Sequence, residues 1–337
     1  MKRADRHTFR ILLYGYYGCG NMGDDALPTA LLRTFSERLP HVSITVALGK
    51  DGDALRCAIK ECGASVVPRR SPRTAIALLR ADALVFGGGS ILQNKSGQAS
   101  LVFYLALLRL AMLLKKKTAI LSGGLGPICG DLSRKMTARV LRRLDYASFR
   151  DADAQAEAAR LGVRSPRLSA DLAFLLPKPQ NAAGAFLPPR FFLVSVKDGN
   201  DGVRIMAERI FRRAEALRMP PVFCLPFPRE DATYTDAVCA SFGRLCRASG
   251  KTGLLPQKLP ALPWEALYAA AARASFVLTA RYHLAVFAHA ANVPFAVIGD
   301  DPKLSAIARE RRSVAELGRA AKEDVRALIT AFSEQKS

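Results

Sequence analysis

The sequence predicts an α/β protein of two Rossmann-like halves, each built on a doubly wound parallel sheet. Three observations carry that expectation. Short apolar runs alternate with helical stretches, Gly-rich stretches follow several of those runs, and the alternation breaks once before restarting. The 337 residues suit two domains of ~150 residues each. Half of them are hydrophobic and 23% are charged, enough apolar material for sizeable cores, which excludes global disorder.

The apolar run Phe9–Tyr14 reads as the first strand and 24–39 as the first helix. Val42–Leu48 continues as a strand, 54–62 as a helix, and Ser65–Pro68, 83–86, 118–122 and 147–149 as further strands with helices between them. Around 177–189 the composition shifts to Pro, Ala, Gly and Asn, a linker signature that divides the chain into domains 1–177 and 178–337. Beyond it, 191–196, 222–226, 253–256, Phe276–Thr279 and 295–298 read as strands, and the last helix is expected to pack back on the first domain. Two such halves joined by a linker make a GT-B-like architecture. Its ligands belong at the carboxyl ends of the strands, in a cleft between the halves.

The formal net charge of +21 favours an anionic partner: nucleic acid, an anionic membrane face or phosphorylated small molecules. The basic residues are dispersed, as Arg69, Arg70, Lys115, Lys116, Lys117, Arg142, Arg143, Arg212, Arg213 and the run at 309–312. Most read as solvated faces, the remainder as a membrane-surface patch. No RNP-like aromatic stretch, KH loop or zinc finger supports a nucleic-acid module. Seven cysteines without CxxC or His-partnered spacing read as reduced thiols, hence a cytoplasmic protein. The N-terminus runs into the first strand and has no signal-peptide character. The longest apolar stretch, 99–114, is short for a bilayer span and contains Arg109, so it reads as a buried helix and leaves only peripheral membrane contact.

Six stretches carry chemistry. After the first strand come Gly15, Gly18, Gly20, Asn21, Gly23, Asp24 and Asp25 at a helix start, where the backbone turns sharply and free N–H groups face a ligand. The spacing is not GxGxxG. Asp24 and Asp25 oppose a pyrophosphate; one can cap the helix and the other hold or deprotonate a sugar hydroxyl. Gly87, Gly88, Gly89, Ser90 and Gln93 form a second such loop, and Ser122 to Pro127 a third.

Arg150 ends a strand, a good place for a bidentate phosphate or carboxylate contact, with a structural pair to Asp171 or Asp151 as the competing reading. Arg281, Tyr282 and His283 follow the strand Phe276–Thr279 and open a helix. Cations there oppose the helix dipole, a departure from good helix design that points to a site instead of a core histidine. Lys303, behind Asp301 and Pro302, opens the next helix as an anion contact or a solvated surface residue.

Read together, GYYGCGNMGDDA, GGGSILQ, GGLGPI, FRDADA, SADLAF, TARYHLAVFA and DDPKL resemble, in that order over residues 14–304, the polysaccharide pyruvyl transferase family, most closely its S-layer-anchoring, CsaB-type branch. The resemblance implies a GT-B-like fold, phosphoenolpyruvate as co-substrate with no bound cofactor or metal, and Arg150, His283 and Lys303 as binding or catalytic positions. It further implies a lipid-linked, N-acetylmannosamine-containing saccharide acceptor in the cytoplasm. Asn21, Asp24, Asp25, Gly88, Gly89, Ser90, Gln93, Asp171, Arg281 and Tyr282 are the expected substrate-binding residues. The chain has Asn94 and Lys197 where family members often have Asp and Arg. The competing readings are a nucleotide-sugar glycosyltransferase or epimerase on the same fold, and a non-catalytic basic module.

Overall fold

The computed structural model describes residues 8–36, 41–95, 97–179, 187–199 and 201–333. It contains two compact units. The first takes the chain up to Cys19, Asp24–Leu176 and everything from Ala315 on; the second takes Gly20–Gly23 and Pro177–Val314. Much of the expected linker, 180–186, lies outside the described residues, as do positions 37–39 of the expected first helix.

The first unit interleaves strands β1 (Phe9–Tyr14), β2 (Val42–Leu48), β3 (Ser65–Pro68), β4 (Ala83–Gly87), β5 (Lys117–Gly123), β6 (Tyr146–Phe149) and β7 (Arg167–Leu168) with helices α1 (Met22–Ser36), α2 (Asp53–Glu61), α3 (Pro72–Arg80), α4 (Gln98–Leu113), α5 (Asp131–Leu141) and α6 (Ala152–Arg160). The sheet is parallel, in the order β3-β2-β1-β4-β5-β6-β7. Strands β4 and β6 are buried along their whole length, as a parallel sheet covered on both faces requires. Leu12, Tyr14, Leu84, Phe86, Ile120 and Phe149 face one core beneath α3 to α6.

The second unit carries β8 (Phe192–Ser195), α7 (Val203–Leu217), β9 (Pro221–Phe223), α8 (Pro228–Ala248), β10 (Gln257–Lys258), α9 (Trp264–Arg273), β11 (Phe276–Thr279), α10 (Tyr282–Ala290), β12 (Phe295–Val297) and α11 (Pro302–Arg309). Its parallel sheet runs β10-β9-β8-β11-β12, again a doubly wound order. Each sheet reverses its winding once, between β1 and β4 in the first unit and between β8 and β11 in the second. Ligands of such folds bind outside the carboxyl ends of the strands at these switch points.

The final helix, α12 (Val314–Ser333), joins the first unit from Ala315 onward. It buries Leu317, Ala321, Val325, Leu328 and Phe332 along one stripe at helical spacing. Asp324 on that stripe accepts hydrogen bonds from Ser122 Oγ at 2.9 Å, Ser148 Oγ at 2.6 Å and Tyr146 OH. The bonds fix the helix over β5 and β6, because a buried carboxylate without donors is costly.

Three sequence expectations need correction. Residues 253–256 are not a strand: Thr252–Leu254 is a short 3-10 turn, and the strand comes later, at Gln257–Lys258. Gly253 and Pro256 punctuate the apolar pair between them, and Pro256 has no N–H to give a ladder. The two-residue strand β7 was not expected; both its side chains are exposed, so it has no apolar pattern. Helix α4 is not buried all round. Leu101, Tyr104, Leu105, Leu108 and Ala111 face the core, while Val102, Leu110 and Leu113 face solvent.

Candidate functional site

In the first unit the candidate residues gather at the carboxyl edge of β1, β4, β5 and β6. Asn21, counted with the second unit, precedes α1 and accepts from the Gly23 N–H at 3.2 Å, so the amide caps the helix. Asp25 accepts instead from the Gly18 N–H at 2.6 Å and holds the glycine-rich turn onto the first turn of α1. Asp24 is buried beside the next loop, and a Cβ on Gly89 would fall 2.9 Å from its Oδ1. Gly88 and Gly89 both take positive φ, so the loop after β4 turns back without side chains and lets the carboxylate approach the backbone.

Tyr17 is buried here and its OH donates to the Gly87 carbonyl; burial pushes its pKa well up, with the Asp24 charge adding to the rise. Gln93 is half-buried just after Leu92, which bridges to Leu125. Asn94 accepts from the Cys129 N–H at 2.8 Å and donates to the Cys129 carbonyl at 2.7 Å. An Asp could only accept, so the amide suits this position structurally.

Arg150 lies at the end of β6 and is 3% exposed. Its Nη1 donates to Asp171 at 3.1 Å, its Nη2 to Ser90 Oγ at 2.9 Å, and its Nε lies 3.6 Å from Asp151. Both carboxylates have second duties. Asp171 accepts from the Ala173 N–H at the start of the 3-10 turn Leu172–Leu175, and Asp151 caps α6 through the Ala154 N–H. The competing structural pair is therefore present, with both acids. A Cβ on Gly124 would fall 2.1 Å from Ser90 Oγ, so that glycine leaves the room in which Ser90 meets Arg150.

Arg69 belongs to this edge, not to a solvated face. Its Nε donates to the Gly15 carbonyl at 2.9 Å and its Nη2 to Tyr104 OH, and its guanidinium stacks on Tyr14, Tyr16 and Tyr104. No local signal could have revealed this, because the partners lie 35 to 55 positions away.

In the second unit the edge is formed after β8, β9, β11 and β12. Ser195 Oγ and Thr279 Oγ1 lie 2.7 Å apart at the ends of β8 and β11, the switch point itself. Thr279 Oγ1 also accepts from the Arg281 N–H at 2.9 Å and so shapes the turn into α10. Arg281 Nε donates to both Asp231 oxygens at 3.0 and 3.1 Å, and Nη2 donates to Glu230 at 2.9 Å. Its guanidinium also stacks over Phe227, 5.3 Å from the ring centre. Burial alone would lower the Arg281 pKa; the bonds and charges of Asp231 and Glu230 outweigh it and raise it. Asp231 and Glu230, in the first turn of α8, were not foreseen.

His283 is the second residue of α10 and is buried, its ring T-shaped against Tyr282 at 5.3 Å. Its other wall is Gly23, counted in the same unit: a Cβ there would fall 2.2 Å from His283 Cβ. Only glycine leaves the imidazole in place. Lys303 is half-buried in the first turn of α11, where its N–H donates to the Asp301 cap at 3.1 Å. Since β11 and β12 are parallel neighbours, His283 and Lys303 open adjacent helices at one end of the sheet. Lys197 follows β8 and is exposed. Among the described residues, no group of three or more His, Cys, Asp or Glu could hold a metal ion.

Two parallel sheets of Rossmann type, each with its polar residues at the carboxyl edge, define the GT-B-like class. Solved structures agree. The UDP-GlcNAc 2-epimerase of Methanocaldococcus jannaschii superposes with a TM-score of 0.63 at 14% identity, over 95% of this chain and 99% of its own. The UDP-N-acetylglucosamine 2-epimerase of Rickettsia bellii gives 0.57 at 10% identity, over 98% of this chain and 97% of its own. Likenesses at such identity show the fold alone. Comparison with curated proteins finds no match. Residues 21–302 match the family profile described as polysaccharide pyruvyl transferase. The chain belongs to that family. No described helix is long and apolar enough to cross a membrane.

Proposed function

We propose that the protein transfers the pyruvyl group of phosphoenolpyruvate to two neighbouring hydroxyls of a sugar, closing a cyclic ketal and releasing phosphate. The carrying observation is the placement of His283 at the start of α10: a buried imidazole lying against Gly23, one strand from Lys303. On this reading the edge of the second sheet takes the phosphoenolpyruvate. Lys303 and the N-termini of α10 and α11 supply positive potential for its phosphate and carboxylate, with Tyr282 beside them. Arg281 already has two acidic partners, so it shapes the edge more than it adds charge.

His283 acts as the general acid, protonating the methylene carbon. The C2 carbon then takes two C–O bonds from the acceptor as its bond to the phosphate oxygen breaks. Of the two hydroxyl protons released, one restores the imidazole and the other leaves on phosphate. At the edge of the first sheet, Asp24 accepts the hydroxyl proton that then leaves on phosphate, and Gly88, Gly89, Ser90 and Gln93 line the acceptor. Asn21 and Asp25 hold the loop, and Arg150, fixed by Asp171, presents directed N–H groups.

The acceptor we favour is that of the S-layer-anchoring, CsaB-type branch: a lipid-linked, N-acetylmannosamine-containing cell-wall precursor, modified in the cytoplasm where phosphoenolpyruvate is made. The test incubates the protein with phosphoenolpyruvate and a panel of lipid-linked and nitrophenyl sugars. Phosphate release with a ketal-sized mass increase in one acceptor is expected. Release of nucleoside diphosphate from a UDP-sugar, with no phosphate from phosphoenolpyruvate, would overturn the reading.

A further inference from the structure

Among the described residues, nine large apolar side chains are conspicuously exposed, and five of them sit on two helices: Ile76 and Leu79 on α3, and Val102, Leu110 and Leu113 on α4. They are not scattered. Residues 102, 110 and 113 share the outer stripe of α4 with Ala106 and Arg109, opposite the buried one. Leu113 is 79% exposed and Leu79 56%, a heavy cost in water for side chains with no local reason to face it. The two helices are tied at both ends. Arg70, just before α3, stacks its guanidinium over Phe103 at 5.1 Å, and Lys116 Nζ, just after α4, donates to the Leu79 carbonyl at 2.8 Å. These two contacts place α3 beside α4 on the same side of the first sheet.

Its charge is one-sided. From Cys62 to Gly130 the chain carries nine Lys and Arg but a single acid, Asp82. That acid is taken by Arg10, whose backbone N–H donates to it at 2.8 Å. Arg70, Arg73, Arg80, Arg109 and Lys115 are exposed around the apolar residues. Arg109 lies within the stripe, where its stem covers leucines and its head reaches outward.

We propose that this outer face of α3 and α4 is a membrane-docking surface that seats the protein on an anionic leaflet. Neither feature would suffice alone: shallow apolar insertion gives weak anchoring, and cations alone give salt-sensitive adsorption, whereas together they bind. A second copy of the chain fits the face less well, because a two-fold contact would set one acid-poor cationic rim against another. The inference stands apart from the reaction proposed above, since it needs no substrate. It does account for how a lipid-linked acceptor would be met.

Flotation of the full chain with vesicles tests it. Binding to phosphatidylcholine vesicles containing phosphatidylglycerol should exceed binding to pure phosphatidylcholine by roughly tenfold or more. It should be lost near 1 M salt, where the screening length falls to ~3 Å. Leu79→Glu/Leu113→Glu and Arg73→Glu/Arg109→Glu should each abolish flotation while thermal stability and turnover of a soluble acceptor stay at wild-type values. Equal flotation with both vesicle types, or full flotation of the Leu79→Glu/Leu113→Glu protein, would overturn the proposal. So would a wild-type dimer that the same pair of substitutions dissolves, which would make the face a contact between copies.

Discussion

Arg150 and Arg281 hold matching places in the two units, each just beyond a strand at the carboxyl edge of its sheet, and each is held by two acids. The difference lies in where those acids are. Arg150 and Asp171 are both almost wholly buried, with Asp151 little more open, so the charge is balanced inside the fold. Arg281 meets a fully buried Asp231 behind it, but its second partner, Glu230, is half exposed and can swing away. The comparison teaches that an arginine beside a ligand edge is not by itself an anion site. What counts is how much of its charge the protein has already neutralised. By that measure Arg150 is the more fully neutralised of the two, while the second sheet's edge adds Lys303 and the N-termini of two helices to the partly exposed Arg281 pair.

The comparison breaks most sharply at His283. If the second edge carries the proton chemistry, His283→Ala should lower phosphate release from phosphoenolpyruvate by roughly 10³-fold, about 4 kcal/mol of barrier, with the fold intact by circular dichroism. Turnover within a few-fold of wild type would take the histidine out of the mechanism. Next in size is the first edge. Arg150→Met strands the buried Asp171 and should cost about 3 kcal/mol of unfolding free energy in urea. Arg150→Met with Asp171→Leu should regain more than half of that. If the double variant is no more stable than the single one, the pair is not the architectural unit its geometry describes.

Gly23→Ala sharpens the contrast, because it separates stability from chemistry. Alanine is the better helix former, by up to about 1 kcal/mol, yet its Cβ would overlap His283 Cβ. The imidazole has to move, and a misplacement near 1 Å should lower turnover by about 10²-fold. An alanine protein with undiminished turnover would show that the ring position is not critical.

The sequence foretold the fold class because parallel strands buried on both faces read as apolar runs, and the turns that follow them need glycine. The Gly-rich loops after β1, β4 and β5 and the turn into α10 were located the same way. Partnership was not legible. Arg281 finds Asp231 fifty positions away, and Asp324 reaches Ser122, Tyr146 and Ser148 from the far end of the chain. Arg69 looked like one more surface cation until Tyr14 and Tyr104 closed over it. Local pattern encodes which face is apolar; which charge meets which depends on strand order, and the outer leucines of α4 carry no mark distinguishing them from the inner ones.

The smallest expected effect probes the first edge again, at Asn94. Its amide uses both ends: the oxygen accepts from the Cys129 N–H, and the nitrogen donates to the Cys129 carbonyl and to Gln98 Oε1 at 3.1 Å. Asn94→Asp keeps the acceptor and turns the donor into an oxygen facing a carbonyl. The loss should be about 1 kcal/mol, roughly 2–4 °C in Tm. A clamp of this kind serves the loop after β4 and not the reaction, so turnover should change little. If Asn94→Asp instead left Tm unchanged and raised turnover, or altered which sugar is accepted, the first edge would hold chemistry at a position whose hydrogen bonds read as purely structural.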